Sequence, residues 1–236
     1  IARVVFSAHD TNPKVRTAKG LDRLKAAGIE VQGGVLASEG SHLIEGFLKH
    51  VHSGLPFISL KWAMTLDGKM ATATGQSKWI TSSAARAYAH RLRRQHDAVM
   101  VGVNTVLQDN PALSARFTDA DHETWHDFQP DRIVVDSQAR TPLDAKLFER
   151  TGDERVYVIV TPNADPARVV ALKAKAEILT VKADDDGRVH YREALKLLGS
   201  KGICSIMVEG GSLVHGSALD AGVVDKVYAF IAPKIM

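Results

Sequence analysis

Four short segments of this chain hold residue types that can bind or transform a ligand. The first runs Leu60-Lys61-Trp62-Ala63-Met64-Thr65-Leu66-Asp67-Gly68-Lys69. A strand that sets Lys61 among apolar residues must bury part of the lysine stem, and a desolvated ammonium requires an anionic or polar partner. A substrate phosphate or hydroxyl would supply one; so would a neighbouring carboxylate, with Asp67-Gly68 then no more than a turn. The second segment, Ile80-Thr81-Ser82-Ser83-Ala84-Ala85-Arg86, leads into His90-Arg91-Leu92-Arg93-Arg94. Hydroxyl residues ahead of an alanine-rich helix are N-cap chemistry, and a helix N-terminus also offers free N–H groups to an anion. The basic cluster in the last turn complements the helix dipole, worth about 0.3–1 kcal/mol. Together with Arg116 it also supplies enough charge to hold a phosphate, which makes Arg93 and Arg116 candidate ligand contacts.

The third segment, 98–113, is a buried strand ending at Gly102, where the missing side chain permits close approach of a ligand or another backbone. A short helix follows. Thr105 and Asp109 are four apart on it and share one face, which is either a surface for a ribose or substrate hydroxyl or a solvated face. The fourth, Ser205-Ile206-Met207-Val208-Glu209-Gly210-Gly211-Ser212-Leu213, reads as strand, glycine pair and helix start. Its backbone N–H groups can point at a phosphate while Glu209 sits at the strand end. A glycine pair alone is a weak signal: it has neither the G-x-G-x-x-G spacing of a dinucleotide turn nor the G-K-[ST] of a P-loop. Ten histidines and the single Cys204 include no C-x-x-C, no H-x-E followed by paired cysteines and no H-E-x-x-H, so no metal site is expected. There is no G-x-S-x-G elbow of a serine hydrolase.

Short β-branched runs alternate with helical patterns, which predicts an α/β architecture with helices on both faces of a sheet and ligands beyond the strand ends. Strands are predicted over 57–64, 98–102, 132–136, 156–161, 177–181, 205–209 and 226–231, and helices over 83–95, 166–174, 191–198 and 213–221. Residues 118–129, rich in Asp and His without periodicity, read as a surface loop. Ahead of this unit, 1–50 reads as a small α/β piece: strands at 4–8 and 29–35, a helix over 21–27, and one amphipathic helix over 38–52. That last helix has Ser38 as N-cap and Gly54 with Pro56 as its stop. The opening IARVVFSA reads as a strand entered midway, so the chain is expected to start inside a longer protein or to lack a leading segment.

With 45% hydrophobic and 24% charged residues the composition is that of a soluble globular chain. The 30 basic and 27 acidic residues leave a net charge of +3, too even for a nucleic-acid partner. No apolar run reaches the roughly 20 residues of a membrane span. A lone cysteine forms no internal disulfide, so a reducing cytoplasmic setting is expected.

In this order, LKWAMTLDGK, GQSKWIT, LRRQHDAVMVG, NTVLQDNPALSAR, PDRIVVDSQAR and MVEGGSLVHGSAL resemble the reductase domain of the bifunctional pyrimidine deaminase/reductase of riboflavin biosynthesis, over residues 55–236. The resemblance implies a dihydrofolate-reductase-like α/β fold with a mixed sheet. It also implies NADPH as cofactor, reduction of the ribosyl group of 5-amino-6-(5-phosphoribosylamino)uracil to ribityl, and a homodimer or larger homo-oligomer. Residues 1–54, with Asn12-Pro13 and Ala27-Gly28-Ile29, resemble the tail of the preceding deaminase domain without its zinc ligands, so deamination is not expected. By motif, Ala63, Trp79, Thr105, Asp109, Ser137 and Gly211, Ser212, Leu213, Val214, His215, Gly216 and Ser217 resemble NADPH contacts. Ser77, Arg93, Leu113, Arg116 and Glu209 resemble substrate contacts. Lys61 and Glu209 are the expected catalytic pair, orienting sugar hydroxyls and relaying a proton while the cofactor supplies hydride. Another dihydrofolate-reductase-like enzyme and a non-catalytic pyrimidine-phosphate-binding domain stand as alternatives.

Overall fold

The computed structural model describes residues 1–9, 12, 20–72, 80–116 and 128–236. The expected loop over 118–129 lies outside these residues except for Phe128 and Gln129. The first elements are β1 (Arg3–Val5), α1 (Gly20–Ala26) and β2 (Glu30–Gln32), the two strands pairing in parallel. Both strands are shorter than the sequence reading, which placed them at 4–8 and 29–35.

The single helix expected over 38–52 is two, α2 (Ala37–Leu43) and α3 (Glu45–Ser53). The chain leaves helical geometry at Ile44 (φ −118°, ψ 21°), and the cap of α2 is Leu36 in a left-handed conformation rather than Ser38. The break lets α3 dock separately. A Cβ at Gly46 would meet the Ser205 side chain at 3.4 Å and the Cys204 carbonyl at 3.6 Å, and Lys49 pairs with Asp225 at 2.5 Å. Gly54 ends α3 at φ 70°, as its sequence position suggests.

The main sheet comprises β3 (Phe57–Thr65), β4 (Ala98–Gly102), β5 (Asp131–Val135), β6 (Val156–Val160), β7 (Glu177–Thr180), β8 (Ser205–Gly210) and β9 (Val224–Ala232), in the order β7-β6-β5-β4-β8-β3-β9. Every ladder among the described residues is parallel, where the resemblance implied a mixed sheet. Helices α4 (Ser83–Arg94), α5 (Val103–Asp109), α6 (Pro166–Lys173), α7 (Tyr191–Ser200) and α8 (Ser212–Asp220) complete the unit. A parallel sheet covered on both faces needs strands that are apolar on both sides. β4 and β6 are accordingly buried at every position. Alternation along the strands divides the core into one cluster around Ile58, Leu60, Met100, Tyr157, Leu195 and Leu198, and a second around Val99, Val101, Val134, Val158 and Leu172.

One buried ion pair holds the β5–β6 side of the sheet. Arg132 and Glu154 side chains have no exposed surface and meet at 2.8 Å, while Arg132 also donates to the carbonyls of Leu147 and Glu149 at 2.6 and 2.9 Å. Glu154 in turn accepts the N–H groups of Thr151 and Gly152 at 2.7 and 2.8 Å. Removing one partner leaves the other charge buried and unpaired. Glu154→Ala should therefore cost about 3–5 kcal/mol of unfolding free energy in urea denaturation. A loss under about 0.5 kcal/mol, the range of ordinary surface changes, would show that the pair does not hold this region.

Candidate active site

β8 is late in sequence yet lies between β4 and β3, so the loops after β4, β5 and β8 meet at one end of the sheet. Crevices at such points, outside the carboxyl ends of parallel strands, are where α/β sheets take ligands. A cavity of about 510 Å³ opens there. Gly102, Asn104, Thr105 and Gln108 line it from the β4–α5 junction, Ser137, Gln138 and Arg140 from beyond β5, and Gly211, Ser212, Leu213, Val214 and Ser217 from the β8–α8 junction. Asp186, Gly187, Arg188 and Val189 close a further side.

Each wall has a local cause. Gly102 is required by packing, since a Cβ there would lie 2.7 Å from the Val214 side chain. Gly210 faces Thr105 in the same way, at 3.2 Å. Gly211 takes φ 83° and begins α8 with no side-chain cap, which leaves the first backbone N–H groups of that helix for an anion. The turn beyond β5 is held from below by buried Asp136, which accepts the Thr141 N–H and hydroxyl, both at 2.7 Å. Asp184 accepts the N–H groups of Asp186 and Arg188 at 3.1 and 2.8 Å, folding the 184–188 turn, and Val189 N–H donates to Ser137 Oγ at 3.1 Å. The Ser137 hydroxyl proton is thus directed away from that contact.

Beside the cavity, β8 carries a charged cluster. The β4–β8 register shifts between Met100 and Val101, so Glu209 is the extra residue of a bulge. Bulges re-aim side chains, and this one turns Glu209 toward α4. Arg93 grips it bidentately, Nε to Oε1 at 2.5 Å and Nη2 to Oε2 at 2.8 Å, with the two side chains 15% and 10% exposed. Burial pushes the Glu209 carboxyl up, but Arg93, aided by Lys61, outweighs it and holds the group below the usual glutamate range. Lys61 follows the last β3–β8 register pair, Leu60–Val208, by one residue on β3, close enough for its charge to act on Glu209. Its ammonium lies 5.4 Å from the centroid of the Phe230 ring.

A third layer is the segment after α5. Arg93 Nη1 donates to the Ser114 carbonyl at 2.6 Å. The Gln129 amide takes both polar groups of the Ala115 backbone at 2.9 Å, and His90 Nδ1 accepts the Arg116 N–H at 3.2 Å. Leu113 sits at φ 56°, an uncommon conformation for a branched side chain, with that side chain buried in the second core cluster.

The structure therefore brings together most of the expected residues, in two groups. Thr105, Ser137, Gly211, Ser212, Leu213, Val214 and Ser217 line the cavity. Lys61, Arg93 and Glu209 form the charged cluster, and Arg116, exposed, is tied to it through its backbone N–H on His90. Asp109, the last residue of α5, is exposed one turn beyond Thr105 and does not line the cavity. Ala63, paired with Phe230, and Gly216 are likewise outside its lining. His215 is a packing residue: buried, against Trp62 at 5.8 Å between ring centroids, with Nε2 3.3 Å from the Val208 carbonyl oxygen. Leu113 can offer a ligand its backbone only. Arg93 and Glu209, expected as independent contacts, are each other's partner; three of the five arginine N–H groups are engaged among the described residues. Ser77 and Trp79 lie outside the described residues. Sequence reasoning missed His90, Arg140 and Arg188; only their spacing relative to Arg93, Ser137 and the 184–188 turn carried a signal. Among the described residues no three His, Cys, Asp or Glu side chains converge on a metal position, and no helix is long and apolar enough to cross a membrane.

Comparison with known proteins places this geometry. The model of the RibD C-terminal domain family matches residues 56–236. The riboflavin biosynthesis protein RibD of Actinobacillus pleuropneumoniae is 40% identical over 237 residues, covering all of this chain and 60% of the relative. The solved RibD of Acinetobacter baumannii matches with TM-score 0.84 at 33% identity, over all of this chain and 62% of that one. The Thermotoga maritima structure described as a diaminohydroxyphosphoribosylaminopyrimidine deaminase/5-amino-6-(5-phosphoribosylamino)uracil reductase matches with TM-score 0.79 at 33% identity, over all of this chain and 60% of that one. The chain thus spans about three-fifths of the length of these relatives. With the family model covering the whole seven-stranded unit and its site, the chain belongs to the RibD C-terminal domain family.

Proposed function

We propose that the chain catalyses the NADPH-dependent reduction of 5-amino-6-(5-phosphoribosylamino)uracil to its ribitylamino product. The observation that carries this reading is the adjacency, along β8, of a cavity of about 510 Å³ and a half-buried Lys61–Glu209–Arg93 cluster. Residues 55–236 form the reductase domain, and 1–54 are the end of a deaminase domain whose zinc ligands this sequence does not contain. The reaction belongs to the cytoplasm, where the phosphorylated substrate and the reduced cofactor are held.

The residues fit a phosphorylated nicotinamide cofactor. The uncapped α8 N-terminus suits a pyrophosphate. Arg140, held by Asn104 at 3.0 Å, and Arg188, 3.6 Å from Asp186, add two cations to the same lining for a further phosphate. When bound, the nicotinamide supplies hydride to C1′ of the ring-opened sugar imine. The protein holds that carbon in place, with the Glu209 carboxylate accepting from sugar hydroxyls and the remaining Arg93 N–H groups, with Arg116, receiving the 5′-phosphate. Because Glu209 is held ionised by Arg93, it is a poor proton donor, and Lys61 is left as the group that protonates the imine nitrogen.

Glu209→Gln should lower kcat/KM for the pyrimidine substrate on the order of 10²-fold with little change in the KM for NADPH; wild-type kinetics in this variant would overturn the assignment. Glu209 has a depressed carboxyl pKa, so its contribution to activity and stability is present above the ordinary value of 4.5 and is lost as pH falls through the lower folded-state value. The acid limb of kcat/KM should accordingly appear only below that ordinary value; a limb near about pH 6–7 assigned to Glu209 would contradict this. Arg140→Ala and Arg188→Ala should each raise the KM for NADPH about tenfold and leave that for NADH unchanged. An equal effect on both cofactors would remove the two arginines from phosphate recognition.

A further inference from the structure

The 113–116 segment is fastened at three consecutive residues by three different side chains. Arg93 takes the Ser114 carbonyl at 2.6 Å, Gln129 clamps both polar groups of Ala115 at 2.9 Å, and His90 accepts the Arg116 N–H at 3.2 Å. Backbone irregularity concentrates here too, Leu113 standing at φ 56°. Strained, over-determined segments of this kind are found where a side chain must be presented in one direction. His90 is one helical turn ahead of Arg93 on α4, so the helix face that holds Glu209 also holds Arg116.

We propose that His90 is a positioning residue for the substrate's phosphate, fixing the backbone of Arg116 so that its guanidinium meets the phosphate beside the Arg93–Glu209 pair. The inference rests on the reading that Arg116 is a phosphate contact. His90 does not itself touch the reacting atoms. Only an imidazole with an unprotonated Nδ1 can accept the N–H of Arg116. The surroundings enforce that state: burial, the Arg93 guanidinium of α4 and the Arg116 guanidinium lower the His90 pKa to about 4, against the opposing Glu209 carboxylate of β8 and the Ser114 backbone.

The test uses the whole chain with the phosphorylated ribosylaminouracil and its dephosphorylated counterpart as substrates. His90→Leu should raise KM for the phosphorylated substrate about tenfold, with kcat changed less than about threefold, the KM for NADPH unchanged and no loss on the dephosphorylated substrate. His90→Asn, whose side-chain oxygen sits close to where Nδ1 was, should restore most of that KM. Equal losses on both substrates, or no loss on either, would overturn the proposal, since a merely structural histidine has no reason to distinguish a phosphate. Binding of ribose 5-phosphate, followed by calorimetry, needs no turnover and separates the two readings. If wild type binds it and His90→Leu binds about tenfold more weakly, the phosphate role stands even where the aminouracil is not reduced. If the aminouracil is reduced by wild type and by His90→Leu alike, the role falls while the enzymatic reading survives. Near-ultraviolet circular dichroism of both variants matching wild type excludes misfolding as the cause.

Discussion

The site depends on one buried interaction, the bidentate pair between Arg93 and Glu209. Taking two ions out of water costs several kcal/mol each, and their attraction offsets this only when the geometry is good and the other donors and acceptors find partners. Here the carboxylate oxygens each take one arginine donor, and a third donor reaches the Ser114 carbonyl. The consequence is mechanical as well as electrostatic. α4, the end of β8 and the segment after α5 are locked together, because none can shift without leaving a charge buried and unpaired. A pair whose net contribution to stability is small by this reasoning is explained by what it positions.

The topology explains why cluster and cavity are neighbours. β8 enters the sheet between two strands formed much earlier in the chain, and it carries Glu209 on a bulge immediately before Gly210 and Gly211. The bulge turns the carboxylate to one side, while the glycines let Thr105 and the α8 N-terminus close on the other. A residue with a Cβ at Gly102 would push Val214, and with it the start of α8, away from β4. One strand end therefore shapes both the cavity and the charged cluster.

Much of this was legible in the sequence where local pattern decides structure. The strands over 98–102 and 156–160, apolar on both faces, and the capped helix at 83–94 follow from periodicity and capping. Ser82 accepts the Ala85 N–H as its position suggests. What the pattern did not show was set by tertiary contact. Nothing in the pattern over 38–52 announced the break at Ile44, which exists because α3 docks separately on the large sheet. His215 falls within a run of expected cofactor contacts but points into the core, and Asp109 shares a face with Thr105 yet extends past the cavity. His90 was hidden because its partner, the Arg116 backbone, is far away in sequence and carries no residue signature. The parallel pairing of the main sheet is what strands alternating with helices imply, so the expected mixed sheet came from the resemblance and not from the pattern.

In the proposed function the cavity and the charged cluster serve one hydride transfer to the first sugar carbon. The most direct measurement incubates the chain with the phosphoribosylaminouracil and NADPH carrying deuterium at the nicotinamide C4, and locates the label in the product by mass spectrometry and NMR. Deuterium at C1′ of a ribityl chain is the expected result. Formation of no ribityl product, or deuterium found in solvent or at another carbon, would contradict it.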